Sequence, residues 1–152
     1  MKTVAVPSVL AFLLLLEIVS GGYICQDPRP YLSTYRVRSD GHECTSLVKN
    51  MSTVLGDYTT NSWVAGVRVR DNCDIPRWTA IATFLGPGGK YNTGAVNDMA
   101  KQHAAIFDTC ESNGLWVYDQ NRNRPVNRTF FKDLGGDDTT SNARNYRVIE
   151  LR

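Results

Sequence analysis

Two apolar runs of strand length, His103-Ala104-Ala105-Ile106-Phe107 and Leu115-Trp116-Val117-Tyr118-Asp119, flank a polar segment that contains Asn113-Gly114. This pattern commits the middle of the chain to an antiparallel hairpin. Both faces of the first run are apolar, so its strand is predicted to lie centrally in a sheet. Partners for it are legible on either side. Residues 78–84 read as a strand closed by Gly86-Pro87-Gly88-Gly89, residues 126–131 as another, and residues 146–151 as a closing strand. Residues 63–69 alternate weakly and read as a short strand or an irregular crossing.

The spacing predicts one clear helix. Asp40 followed by Glu43 has capping-box spacing, with Asp40 as N-cap. Beyond it Cys44, Leu47, Val48, Met51 and Leu55 recur at three- and four-residue steps, with Gly56 as the stop. Residues 92–102 read as one further helical turn or two. One helix followed by several antiparallel strands is an α+β domain, with the cysteine-bearing helix packed on an antiparallel sheet.

The first residues set the expected compartment. Lys2 gives a positive start, residues 9–19 are almost wholly apolar, and Ser20-Gly21-Gly22 offers small residues for cleavage. This reads as a secretory signal over residues 1–21, too short for a membrane span, followed by a single domain over 22–152. No later segment is apolar enough to cross a bilayer, so no membrane partner is expected. The net charge of +2 comes without a charge run or a basic stripe interleaved with aromatics, so nucleic acid is not an expected partner either. Asn50-Met51-Ser52 and Asn127-Arg128-Thr129 are glycosylation sequons, meaningful in a eukaryotic secretory pathway.

The domain carries Cys25, Cys44, Cys73 and Cys110, and in an oxidising compartment the default is two disulfides. Topology argues for a different division. If residues 79–84 lie antiparallel to residues 103–107, Cys73 before the first strand comes near Cys110 after the second, and the two can bridge. That leaves Cys44 free and Cys25 odd, to stay free, pair between chains or bridge another cysteine.

A free Cys44 changes what the chain can do. At the first turn of a helix its thiolate feels the positive end of the macrodipole. His103 opens a strand, with its side chain expected to face the helix. If Phe107 faces Leu115 across the loop, Ala105 lies opposite Val117 and His103 opposite Asp119, where a carboxylate can hold the imidazole in one tautomer. Gln120 is the fallback orienter if the register slips by one. Ala105, on the face of His103, is expected to leave room for the helix, while Trp116 and Tyr118 point the other way. His42 reads as exposed or substrate-facing. No CxxC or HxxxH pairing supports a metal, and no cofactor is expected.

As a set, Gly41-x-x-Cys44-x-x-Leu47-Val48-Lys49, Thr79-Ala80-Ile81-Ala82-Thr83-Phe84 with Gly89-Lys90-Tyr91, the histidine strand and Trp116-Val117-Tyr118-Asp119-Gln120 resemble papain-like amidases of the NlpC type. The set is especially similar to the amidase effectors of type VI secretion and their domesticated eukaryotic relatives. The resemblance implies a small papain-like α+β fold and hydrolysis of amide bonds in peptidoglycan stem peptides or their cross-links. It places the catalytic cysteine on Cys44, the histidine on His103 and the orienting residue on Asp119. The expected protein is a secreted antibacterial enzyme, acting as a monomer on bacterial peptidoglycan. The alternative is a secreted binding module that kept the fold without the chemistry, which four paired cysteines would support.

Overall fold

A computed structural model of the chain describes residues 22–152 apart from Asp40, His42, Val96, Asn97 and Met99. The expected signal, the Asp40 cap and His42 therefore lie outside the described residues. One helix, α1 (Cys44–Met51), precedes or flanks six strands: β1 (Trp63–Arg68), β2 (Ala80–Thr83), β3 (Ala104–Glu111), β4 (Gly114–Asn121), β5 (Arg124–Lys132) and β6 (Tyr146–Leu151). They form one antiparallel sheet in the order β1-β6-β2-β3-β4-β5. The α+β expectation holds, and β3 is central as its two apolar faces required.

The helix is shorter than its apolar spacing suggested. Glu43, expected at the third helical position after an Asp40 cap, is itself the N-cap, Cys44 the first helical residue, and Ser52 the C-cap, so Leu55 and Gly56 fall in a separate 3-10 turn (Leu55–Asp57). Ser52 Oγ accepts from the N–H groups of Val54 and Leu55 at 3.2 and 3.1 Å, and this local hydrogen bonding competes with helix continuation. Cys44, Leu47, Val48 and Met51 still bury one face. They pack with Ile106 and with Ala80, Ala82 and Ala104, three small residues that let the helix approach the sheet closely. The other face carries Ile81, Ala105, Phe107, Leu115, Val117 and Tyr146, covered by Val69 and Ala143 from two further 3-10 turns (Val69–Asp71 and Ala143–Asn145). Ala105 therefore lies away from the helix, contrary to expectation, and Ala104 is the small residue beneath it. Tyr118, expected to point away from the helix, lies on the helix side with Ala104 and Ile106, while Trp116 is only partly buried against Phe130.

The strand expected over 78–84 is cut to four residues at its start by Trp78, whose φ of 72° lies in the left-handed region. Arg29 and Arg77 guanidiniums lie over its ring, at 5.3 and 4.3 Å from the centroid. Of residues 92–102, the described part closes one turn, Gln102 N–H to Asp98 C=O at 2.7 Å, directly before His103.

The hairpin register differs from the expected one, and the difference has a cause. Strands β3 and β4 run further toward each other than expected, leaving only Ser112 and Asn113 between them. From that turn the ladder pairs Glu111 with Gly114, Cys110 with Leu115 and Thr109 with Trp116. Continued unbroken, it would pair Phe107 with Tyr118 and put His103 and Asp119 on opposite faces. Instead a bulge at Asp108 returns the pairing to Phe107 with Val117 and Ile106 with Tyr118. The net displacement from the expected register is two residues, which preserves the faces. His103 and Asp119 become diagonal rather than direct neighbours.

Asp108 is itself locked. It is buried, and its two oxygens accept from Arg77 Nε at 2.5 Å and Arg128 Nε at 2.7 Å. Farther along β3, Cys110 bonds to Cys73 with Cα atoms 5.8 Å apart, the pairing the topology implied.

Two expectations follow. Asp108→Ala leaves two guanidiniums without their carboxylate and should lower stability by about 1–3 kcal/mol, read from the urea midpoint. Replacing Cys73 and Cys110 together by Ser should cost about 2–4 kcal/mol. Because that bond lies at the far end of β3 from His103, the alkylation rate of Cys44 in the folded variant should match that of the parent.

Candidate active site

The residues singled out in the sequence meet at one end of the sheet. His103 stands just before the first residue of β3, so its ring is not confined to either face. From the far face Asp119 reaches it, with His103 Nε2 and Asp119 Oδ2 2.9 Å apart. From the near face comes the first turn of α1, and the Cys44 thiol is within hydrogen-bonding reach of the imidazole. With Nε2 committed to the carboxylate, Nδ1 is the nitrogen left to serve the sulfur.

The carboxylate is held on all sides. Asp119 is buried, and besides His103 it accepts from Thr129 Oγ1 at 2.6 Å and from Arg124 Nη2 at 2.9 and 2.7 Å. Burial pushes its carboxyl up, but the hydrogen bond and charge of His103, then Thr129 and Arg124, hold it below the usual carboxylate value. The same competition sets the other two groups. Burial lowers the His103 pKa, but the Cys44 charge and the Asp119 hydrogen bond prevail, raising it to about 10. Burial raises the Cys44 pKa, but His103, the Ala104 N–H and the Tyr91 hydroxyl together bring it below the ordinary thiol value. The favoured state is a thiolate beside an imidazolium, a coupled pair whose protons do not belong to either residue alone.

Gln120, the expected fallback orienter, does something else. One residue along from Asp119 it points to the opposite face, where its amide donates to Glu43 C=O at 2.9 Å and exchanges two hydrogen bonds with the Arg36 backbone. It thus ties the N-cap of the cysteine helix to β4. Adjacent residues of one strand fix the two halves of the site, Asp119 the histidine and Gln120 the helix start.

These groups line a cleft of about 400 Å³, a size suited to a small peptide segment. Its walls mix charges: Glu43 and Asp98 against Lys49 and Arg124. Arg124, Thr129 and the Ala104 N–H were not found by sequence reasoning. Thr129 and Arg124 need the β4–β5 pairing before they can be placed. Tyr91 was quoted only within a motif, yet its hydroxyl lies 3.8 Å from Cys44 Sγ. Among the described residues no group of three His, Cys, Asp or Glu side chains is arranged to hold a metal ion. Of the two sequon asparagines, Asn127 is exposed, whereas Asn50 is half-buried and bonded to Val37 C=O and Arg36.

A helix-borne thiol, an imidazole and an orienting carboxylate in one cleft are the parts of a cysteine hydrolase. The family profile described as Domesticated amidase effector 2 matches residues 13–149, and the chain belongs to that family. It is 42% identical over 137 residues to Domesticated amidase effector 2 of Ixodes scapularis, covering 90% of each chain. It is 32% identical over 98 residues to the Type VI secretion amidase effector 2 protein of Salmonella typhi, covering 64% of this chain and 66% of that one. The solved structure of Type 6 secretion amidase effector 2 (Tae2) superposes with a TM-score of 0.69 at 25% identity, covering 86% of this chain and 95% of that one.

The two free thiols should behave oppositely. Burial alone pushes Cys25 up to about 12, so it should stay silent to iodoacetamide in the native protein. Cys44 should react at lower pH than an ordinary thiol, its rate falling in acid as the thiolate protonates. Asp119→Asn should raise the pH at which Cys44 reacts and lower kcat by about 100-fold or more.

Proposed function

We propose that this protein is a secreted, cysteine-dependent amidase that hydrolyses amide bonds in the stem peptides or cross-links of bacterial peptidoglycan, with antibacterial action. The observation that carries the reading is the assembly of Cys44, His103 and Asp119 in one cleft, in a chain whose relatives are named amidase effectors. The unpaired state of Cys44 counts against a fold that has lost its chemistry, for which paired cysteines were the expected sign. The Cys73–Cys110 disulfide and the apolar start of the chain support secretion.

The geometry supports the following course. The Cys44 thiolate adds to the carbonyl carbon, and the carbonyl electron pair moves to oxygen. When the C=O bond re-forms, the C–N bond breaks and the leaving nitrogen takes the proton held on His103. Water then enters and adds to the thioester carbon as His103 accepts its proton; collapse breaks the C–S bond, frees the acid and expels the Cys44 thiolate, restoring the thiolate–imidazolium pair. Asp119 holds the His103 ring throughout, in its charged and neutral forms, without accepting its proton. The acyl-enzyme is covalent and needs no added cofactor.

Purified sacculi digested with the protein and with Cys44→Ala test this, with muropeptides separated and weighed. The expected outcome is new free amine and carboxyl ends with the parent protein, and a loss of roughly 10³-fold or more in rate with the variant. Equal product from both would overturn the reading. Activity of the parent should also fall as pH rises through about 10, where His103 loses the proton that the leaving amine requires.

A further inference from the structure

We propose that the Tyr91 hydroxyl is an oxyanion donor of this site, paired with the backbone N–H of Cys44. The inference rests on the amidase reading above and assigns a residue to it. Tyr91 is 4% exposed and lines the cleft, with its hydroxyl 3.8 Å from Cys44 Sγ. The oxygen of a carbonyl under attack lies two bonds from that sulfur. An O–H at this distance can therefore come within about 3 Å of the oxygen as charge develops on it. Burial, and then the Cys44 charge, raise the Tyr91 pKa well above its ordinary value, so the group remains a neutral donor wherever the thiolate exists.

Three features hold the hydroxyl in place. The ring packs edge-on to Trp63 at 5.1 Å and Phe84 at 6.3 Å between centroids. Gln102, next to the histidine, donates to the Tyr91 C=O and to Asn92 Oδ1, both at 3.2 Å. The preceding turn closes through Gly86 N–H to Lys90 C=O at 2.9 Å, with Gly88 and Gly89 at φ of 68° and 69°. A Cβ on Gly86 would stand 2.2 Å from the Asn92 carbonyl oxygen, so this return path admits no side chain there. A phenol so fixed needs no reorganisation when the oxyanion forms. The second donor follows from the helix start. Cys44 is the first helical residue, and its N–H has no intrahelical carbonyl to meet.

In the step assigned to these donors, Sγ forms a bond to the carbonyl carbon and the C=O pair becomes the oxyanion. That oxygen accepts from Tyr91 O–H and Cys44 N–H. Collapse re-forms C=O, expels the nitrogen with the His103 proton and returns Tyr91 to the sulfur. No proton leaves Tyr91.

Tyr91→Phe keeps the ring and removes the donor. It should melt like the parent, and kcat on sacculi should fall by about 100-fold or more with KM changed by less than about threefold. Two titrations separate this role from others. The pH dependence of Cys44 alkylation by iodoacetamide, which forms no oxyanion, should move upward only slightly, because the Tyr91 hydroxyl supports the thiolate less than His103 and the Ala104 N–H do. The affinity for acetyl-D-alaninal, whose hemithioacetal with Cys44 carries the oxygen into the hole, should drop by about tenfold or more. A kcat within about threefold of the parent, unchanged aldehyde affinity, or an alkylation profile displaced enough to account for the lost rate would each overturn the assignment. Should the parent fail to cut sacculi, the peptidoglycan reading fails alone. The aldehyde titration still reads the hole, because it needs only the thiolate and its donors.

Discussion

The bulge at Asp108 is the constraint on which the site depends. A two-residue turn at Ser112-Asn113 fixes the ladder at the tip of the hairpin, and continued unbroken it would send His103 and Asp119 to opposite faces. One extra residue in β3 changes the parity, and everything beyond it is aimed correctly. Asp108 and Thr109 share one side, so Phe107 and Cys110, three residues apart, share the other with Val117 and Leu115. The buried Asp108 carboxylate, gripped by Arg77 and Arg128, makes the extra residue a bonded feature of the strand. The disulfide cysteine and the histidine lie at opposite ends of β3, and both have their direction set by this one position.

Beyond the bulge, β4 distributes the work by alternation. Asp119 projects to the face away from the helix and Gln120 to the face beneath it. Each makes hydrogen bonds that its neighbour cannot reach. The thiol and the imidazole therefore belong to separate elements, yet both are referenced to the same two residues of one strand. A half-turn of misplacement between helix and sheet would break the Gln120–Glu43 contact before it reached the sulfur. This is how an eight-residue helix, too short to be stable alone, holds the Cys44 thiol in a defined place.

Much of this was legible in the sequence, and the failures are instructive. Five of the six strands follow from apolar runs and turn residues, whereas the weak alternation of residues 63–69 left β1 open between a strand and an irregular crossing; the Cys73–Cys110 bridge follows from the antiparallel pairing of β2 with β3. The exact register was not legible, because the two-residue turn and the bulge act in opposite senses and neither has a unique residue signature. The expected pairing was displaced by two residues, and that even number is why Asp119 still projects where it can reach His103. Ala105 was misassigned because its alternation was tied to the helix through His103, whereas His103 sits off the sheet end and meets groups from both faces. Gln120 was given the role of its neighbour. The helix end at Ser52 was missed because the apolar spacing continues through Leu55, while the Ser52 hydroxyl had already capped the chain.

The two free cysteines show that solvent exposure is not what sets thiol acidity here. Cys25 and Cys44 are both buried, at 4% and 9% exposure, and neither is oxidised. Cys25 Sγ faces the Val48 carbonyl, an acceptor that gives a thiolate nothing, and burial pushes its pKa up to about 12. Cys44 has a comparable loss of solvent but faces an imidazole, a backbone N–H and a phenol, all of which favour the anion. Moving the thiol four residues along α1, to the position of Val48, would keep the burial and lose every one of those partners. The acidity of the Cys44 thiol is thus set by what surrounds the first turn of the helix, and those surroundings are assembled by β3, β4 and the turn that carries Tyr91.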